Sequence, residues 1–201
     1  MGFAIVGPGH FLASGHPDLR EDLPASLGLI ESRDSAETWT PLTLQGKADF
    51  HAIEATADRV YAYDSQSLQL LVSTDRRTWS LIEKRPLLDL VVNPDDRHVL
   101  YATDPDGLLL RSEHGARLEP VQTAARLTYI DWEPNGPLVG VATDGTVLTS
   151  NAVRDDWTEV GSVDGAAEAF DATPGRWHVA TQHGVYESTD DGATWTEVIA
   201  H

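Results

Sequence analysis

The chain has 201 residues, no cysteine, and 14 basic against 32 acidic residues, for a net charge of -18. A surface this negative repels phosphate backbones and anionic lipid, so nucleic acid and membrane surfaces are poor candidates for partners; the missing cysteines exclude disulfides and thiol chemistry. No run of about 20 apolar residues is present to span a membrane, and the opening MGFAIVGPGHF has no basic start and is broken by Gly and Pro, so no export signal is expected in this chain.

Taken in order, short β-branched or aromatic runs alternate with turn residues, the pattern of many short strands. The first unit reads FAIVG, HFLAS, LGLIES and TWTPLTL, and the second FHAIEAT, RVYAYD, LQLLVS and TWSLIEK. The third reads LLDLVV, HVLYAT, GLLLRS and RLEPVQ; the fourth LTYIDW, PLVGVAT, GTVLTS and DWTEVG; the fifth AEAFDA, RWHVAT, GVYES and TWTEVI. Each unit supplies four strands, A to D, and no segment keeps the spacing of an amphipathic helix. Prolines at 94, 134 and 174 open three of the A-to-B turns at steps of 40 and 40.

One turn recurs between strands C and D. Its fullest copy is Ser188-x-Asp190-x-Gly192-x-Thr194-Trp195, echoed at Ser32 to Trp39 with Asp34, at Ser73 to Trp79 with Asp75, at Ser112 to Leu118, and at Ser150 to Trp157. The serines step by 41, 39, 38 and 38, which marks an array of one supersecondary unit. The Asp can accept hydrogen bonds from backbone N–H groups just downstream, Gly supplies a positive φ, and the Trp buries apolar surface while its indole seeks an acceptor. Ala36 replaces the Gly in the first copy, the second and third copies are one residue short, and His114 and Ala152 stand where the third and fourth would carry Asp.

This pattern resembles the Asp-box, or BNR repeat, of the sialidase-like β-propellers, and the resemblance covers all five units. It implies an all-β propeller of five four-stranded antiparallel blades, at about 1–45, 46–85, 86–124, 125–163 and 164–201 in one domain. The first unit also looks like bacterial BNR proteins of unknown function that carry a further N-terminal blade and an export signal. That likeness keeps a truncated six-bladed propeller as the alternative, with oligomerisation through unsealed sheet edges, and suggests a secreted or extracytoplasmic location. In such families the boxes lie on the face away from the ligand site, so the box residues are expected to be scaffold.

Ligands of propellers sit on the face made by the B-to-C and D-to-A connections. Four B-to-C links are short, but that from Ser14 to Gly28 holds thirteen intervening residues, and insertions in regular arrays tend to carry binding. It brings His16, Asp18, Arg20, Glu21 and Asp22 to that face, and the next D-to-A link adds Lys47, Asp49 and His51. His16, His51 and Asp18 are the candidate ligands for a divalent metal, the one cofactor considered; the plainer reading is a solvated loop stiffened by Pro17 and Pro24. Asp64, Asp104 and Asp144 recur at steps of 40 and 40 at strand B ends, where a turn role comes first and a ring of carboxylates second.

The expected function is therefore non-catalytic recognition of a protein or small ligand through the face bearing the 14–28 loop. Two alternatives stand beside it: a sialidase-like glycoside hydrolase and a metal-binding extracytoplasmic protein. Sialidases of the resembled family use three arginines, a Tyr paired to a Glu and an Asp; here their Arg-Ile-Pro segment is missing, and only Arg20, Arg85, Arg126 and Tyr129 offer themselves.

Overall fold

A computed structural model describes residues 1–151 and 156–200. All regular elements among them are strands. The first sheet is β1 (Phe3–Gly7), β2 (His10–Ala13), β3 (Leu29–Ser32) and β4 (Thr40–Thr43), and the second β5 (Phe50–Ala55), β6 (Val60–Asp64), β7 (Gln69–Ser73) and β8 (Ser80–Lys84). The third is β9 (Asp89–Val92), β10 (Val99–Thr103), β11 (Leu109–Glu113) and β12 (Glu119–Pro120). The fourth is β13 (Leu127–Trp132), β14 (Leu138–Ala142), β15 (Thr146–Asn151) and β16 (Asp156–Ser162), and the fifth β17 (Ala167–Thr173), β18 (Arg176–Thr181), β19 (Gly184–Ser188) and β20 (Thr196–Ala200). Each sheet pairs its strands in chain order and antiparallel, giving the five four-stranded blades of a five-bladed β-propeller, as expected. The fourth strand of the third blade, Glu119–Pro120, is shorter than RLEPVQ suggests, although Val121 N–H still donates to Leu109 O at 2.9 Å just beyond it.

The chain groups into two compact units, residues 1–87 with 115–117, and residues 88–114 with 118–201. In the first, Leu12, Leu29, Phe50, Ile53, Val60 and Ala62 bury a core drawn from both blades. The blades are tied at the backbone by Gly2 N–H donating to Phe50 O at 2.7 Å and Phe50 N–H donating to Ser14 Oγ at 3.1 Å.

In the second unit the strand period of two sorts side chains between two cores. Along β14, Leu138 and Ala142 enter one cluster with Tyr101, Leu127 and Trp132, while Val139 and Val141 enter another with Val147, Trp177 and Val179. Packing on both faces explains why the second strands of the middle blades read as unbroken runs: every residue of β6, β10 and β14 is buried. At about 1.5–3 kcal/mol for each large apolar side chain, these clusters are the main force holding the blades.

The recurring turns are built as their residues dictate. In the fifth blade Ser188 Oγ donates to Asp190 Oδ1 at 2.9 Å and accepts from Gly192 N–H at 2.9 Å; Thr194 N–H donates to Asp190 Oδ1 at 2.9 Å, and Trp195 Nε1–H to Gly192 O at 3.0 Å. The first blade repeats the scheme with Ser32, Asp34, Ala36 and Thr38. In the second, shorter by one residue, Asp75 Oδ1 accepts instead from Arg77 and Thr78 N–H at 2.8 and 2.7 Å. The five leading serines, including Ser112 and Ser150, are all buried. Trp79 and Trp157 lie half-buried against the cores, and Trp39 is half-buried ahead of β4. Ala152 lies outside the described residues.

Gly192 has φ +83°, and an added Cβ would meet Trp177 Cζ3 at 2.6 Å, so this turn needs glycine twice over. Ala36 holds the equivalent place with φ +70° and is exposed. Relieving that strain outweighs the added freedom of the unfolded chain, so Ala36→Gly is expected to stabilise by about 0.5–1 kcal/mol. Urea denaturation checks this; a destabilised variant contradicts it.

Candidate functional site

The 14–28 loop leaves β2 at one end of the first blade and the Ser32 turn leaves β3 at the other, so the long insertion and the recurring turn occupy opposite rims of this blade. The loop is pinned at its base. Leu27 N–H donates to Gly15 O at 2.9 Å, Gly46 N–H to Ser26 O at 2.8 Å, and Gln66 Nε2–H to Ser26 Oγ at 3.1 Å.

At this base the structure brings together His16, His51 and Asp49. Both rings present Nε2 to Asp49 Oδ2, His51 at 3.1 Å and His16 at 3.6 Å. His16 Nδ1 lies 2.6 Å from Ala25 O, and since a carbonyl only accepts, Nδ1 carries a proton. Asp49 is 7% exposed at its side chain, its Oδ1 is buried with no hydrogen-bond partner among the described residues, and its N–H donates to Asp64 Oδ1 at 3.0 Å. His51 is aimed by a register irregularity between Phe50 and Ala52 on β5, a bulge of the kind that redirects side chains beside sites.

Asp18 does not join them. Its carboxylate takes the Arg20 fork, from Nε at 2.9 Å and Nη2 at 2.6 Å, together with Arg20 N–H at 2.9 Å. Those bonds hold its pKa down at about 2. Glu21 Oε2 accepts from Asp18 N–H at 3.3 Å, and Asp22 stands exposed. Residues 18–22 thus form a self-contained turn, with Asp49 rather than Asp18 beside the histidines. Among the described residues no group of three or more His, Asp or Glu side chains is placed to hold a metal ion.

The three aspartates at the strand B ends serve their own turns. Asp64 Oδ1 also accepts from Gln66 N–H at 3.3 Å and its Oδ2 from the Ser67 hydroxyl; Asp104 Oδ1 accepts from Asp106 and Leu108 N–H, both at 3.0 Å. Asp144 Oδ1 accepts from Thr146 N–H at 3.0 Å, and bonds from the Thr146 backbone and hydroxyl lower its pKa.

Two carboxylates not singled out in the sequence lie inside the second unit. Asp89 Oδ2 accepts from Ile130 N–H at 3.0 Å, and Asp131 Oδ2 from Ala172 N–H at 2.7 Å, so each links its own first strand to that of the next blade. Burial pushes Asp89 up to about 7 against the pull of the Ile130 and Leu90 N–H groups, and the charge of Asp131 adds to the rise. Burial also raises Asp131, and Tyr129 is raised by burial and by the negative charges of Asp89 and Glu168. The signal was an Asp set within the apolar runs LLDLVV and LTYIDW.

No family model matches the chain, and no curated protein matches its sequence. Solved structures do. The chain is similar to YCF48 bound to D1 peptide at 20% identity and TM-score 0.61, covering 84% of this chain and 59% of that one. It is similar to YCF48 from Cyanidioschyzon merolae at 15% identity and TM-score 0.63, covering 98% and 70%. It is also similar to a chain of a nidogen/laminin complex at 11% identity and TM-score 0.72, covering 87% and 72%. This chain thus spans 59% and 70% of the length of the two YCF48 chains. At these identities the feature held in common is the fold, and the chain is a β-propeller.

Proposed function

We propose that the protein is a non-catalytic binding propeller of the Asp-box, sialidase-like type, which takes a peptide or protein segment on the rim carrying the 14–28 loop. The observation that carries this reading is the loop itself. It is pinned at its base yet carries Leu19, fully exposed, and Leu23, 44% exposed, on the same loop whose base holds the polar centre of Asp49, His16 and His51. Exposed apolar tips on a loop whose base carries two exposed imidazoles suit an extended segment that offers apolar side chains to the leucines and polar groups to His16 and His51. Two of the similar structures are named as complexes with a peptide or a protein, which supports the same use of the fold here.

The hydrolase alternative draws less support. A tyrosine nucleophile needs its hydroxyl activated, whereas burial, Asp89 and Glu168 all raise Tyr129. Fluorogenic sialosides and glucosides are expected to give no turnover.

The binding reading is tested with a displayed random-peptide library panned on the immobilised protein. Peptides enriched on the parent are expected to lose at least about tenfold in affinity against the double variant Leu19→Ser, Leu23→Ser, the scale of two buried apolar contacts. The variant retains the base hydrogen bonds and should keep its unfolding transition. Undiminished binding to it, or no enrichment at all, overturns the reading.

A further inference from the structure

The opposite rim of the first unit carries a concavity of about 370 Å³. Arg33, Arg59, Arg76 and Arg77 line it, together with the apolar side chains of Leu42 and Ala57. Four of the chain's twelve arginines thus gather at one cleft of a molecule whose net charge is -18. The sequence places them in separate A-to-B and C-to-D turns; adjacency of the two blades brings them together.

Their countercharges do not cancel them. The lining holds three carboxylates, Glu31, Asp58 and Asp75, against four guanidiniums. Glu31 is shared, with its Oε1 accepting from Arg33 Nη2 at 2.9 Å and Arg76 Nη1 at 2.9 Å, while His10 Nε2 lies 2.7 Å from the same oxygen. Asp58 meets Arg59 in two long contacts of 3.3 Å. Asp75 is turned inward to its own loop, accepting from the Ser73 and Thr78 hydroxyls and from Arg77 and Thr78 N–H. The guanidinium of Arg77 is therefore left without a hydrogen bond among the described residues, exposed at the mouth. A guanidinium with a free fork beside a carboxylate already shared by two others is a donor set short of one acceptor.

We propose that this cleft binds a compact oxyanion, a phosphoryl or carboxylate group of a small ligand, with Arg77 as its main donor and Arg33 and Arg76 turning from Glu31 to share it. The site is separate from the peptide rim and does not depend on it. Because the rest of the surface repels anions and screening limits the cleft's own field to about 8 Å at physiological salt, capture works at contact range and weakens as salt rises.

Isothermal titration with inorganic phosphate, succinate and sodium chloride, at matched ionic strength, tests the proposal and separates the two sources of the oxyanion. Saturable binding of phosphate or succinate, with chloride silent, is expected, and the stronger of the two names the class. Arg77→Gln should weaken it about tenfold, the effect of one charged hydrogen bond, whereas Lys84→Gln, which removes the same charge at the far end of β8, should leave it unchanged. Equal weakening by both variants would reduce the effect to net charge and overturn the site, as would the absence of saturation with either oxyanion.

Discussion

Replacing Trp177 by alanine is expected to cost about 3–5 kcal/mol, the range of aromatic truncations in packed cores. The ring is 1% exposed at the start of β18, among Val139, Val141, Val147 and Val179. Phe170 meets it edge-on at 6.3 Å, and its far edge carries the Gly192 turn. Among the described residues its Nε1–H has no partner, so truncation loses none of their hydrogen bonds; the cost is transfer and cavity. The same turn lies against Gly161 on β16, where an added Cβ would be 2.2 Å from Gly192 O. Collapse into the cavity is thus resisted by backbone on the turn side, which argues for the upper part of the range. Against a typical stability of about 5–15 kcal/mol the loss is large, and Trp177→Phe should recover much of it. Urea denaturation gives the number; a loss under about 1 kcal/mol would mean that this core does not depend on the ring.

The blades were legible because the information that specifies them is local. Strand runs, turn prolines and buried serines each repeat on the same beat, and a four-stranded antiparallel unit needs little more to be recognised. What failed to show is set by direction or by neighbours in space. Asp18 and His16 share a loop, yet Arg20 lies two residues away and takes the carboxylate first, so the partner of the histidines is Asp49 from the next connection. The bulge that aims His51 follows from pairing between β5 and β6 and has no mark in FHAIEA. Arg33 and Arg77 belong to turns one blade apart, and composition alone disperses them. Asp89 and Asp131 were written in plain view within apolar runs, where a charge must find donors, and those donors come from the adjoining blade.

That placement of Asp89 sets a pH dependence opposite in sign to the usual carboxylate case. Its ordinary pKa of 3.8 is raised to about 7 in the folded state by burial. Between those values the folded protein holds a proton that the unfolded chain has released, so stability falls as pH rises through this window. The shift sets an upper bound of about 4 kcal/mol, at about 1.4 kcal/mol per pH unit. Asp131, also raised, acts in the same direction. The turn aspartates Asp34, Asp75 and Asp190 are lowered by bonds from neighbouring Thr groups, so what they contribute is present above the ordinary carboxylate pKa and is lost only as pH falls below it. The two effects occupy different windows, and maximal stability is expected on the acid side of neutrality, near pH 4–5. Self-repulsion of a chain at -18 adds a slope of the same sign, but Asp89→Asn retains that repulsion while removing the titrating group. The variant keeps one acceptor for Ile130 N–H, and its urea stability should vary less between pH 4 and pH 7 than the parent's. Parallel profiles for the two proteins would show that Asp89 is ionised throughout that range and that the link between the third and fourth blades is a charged one.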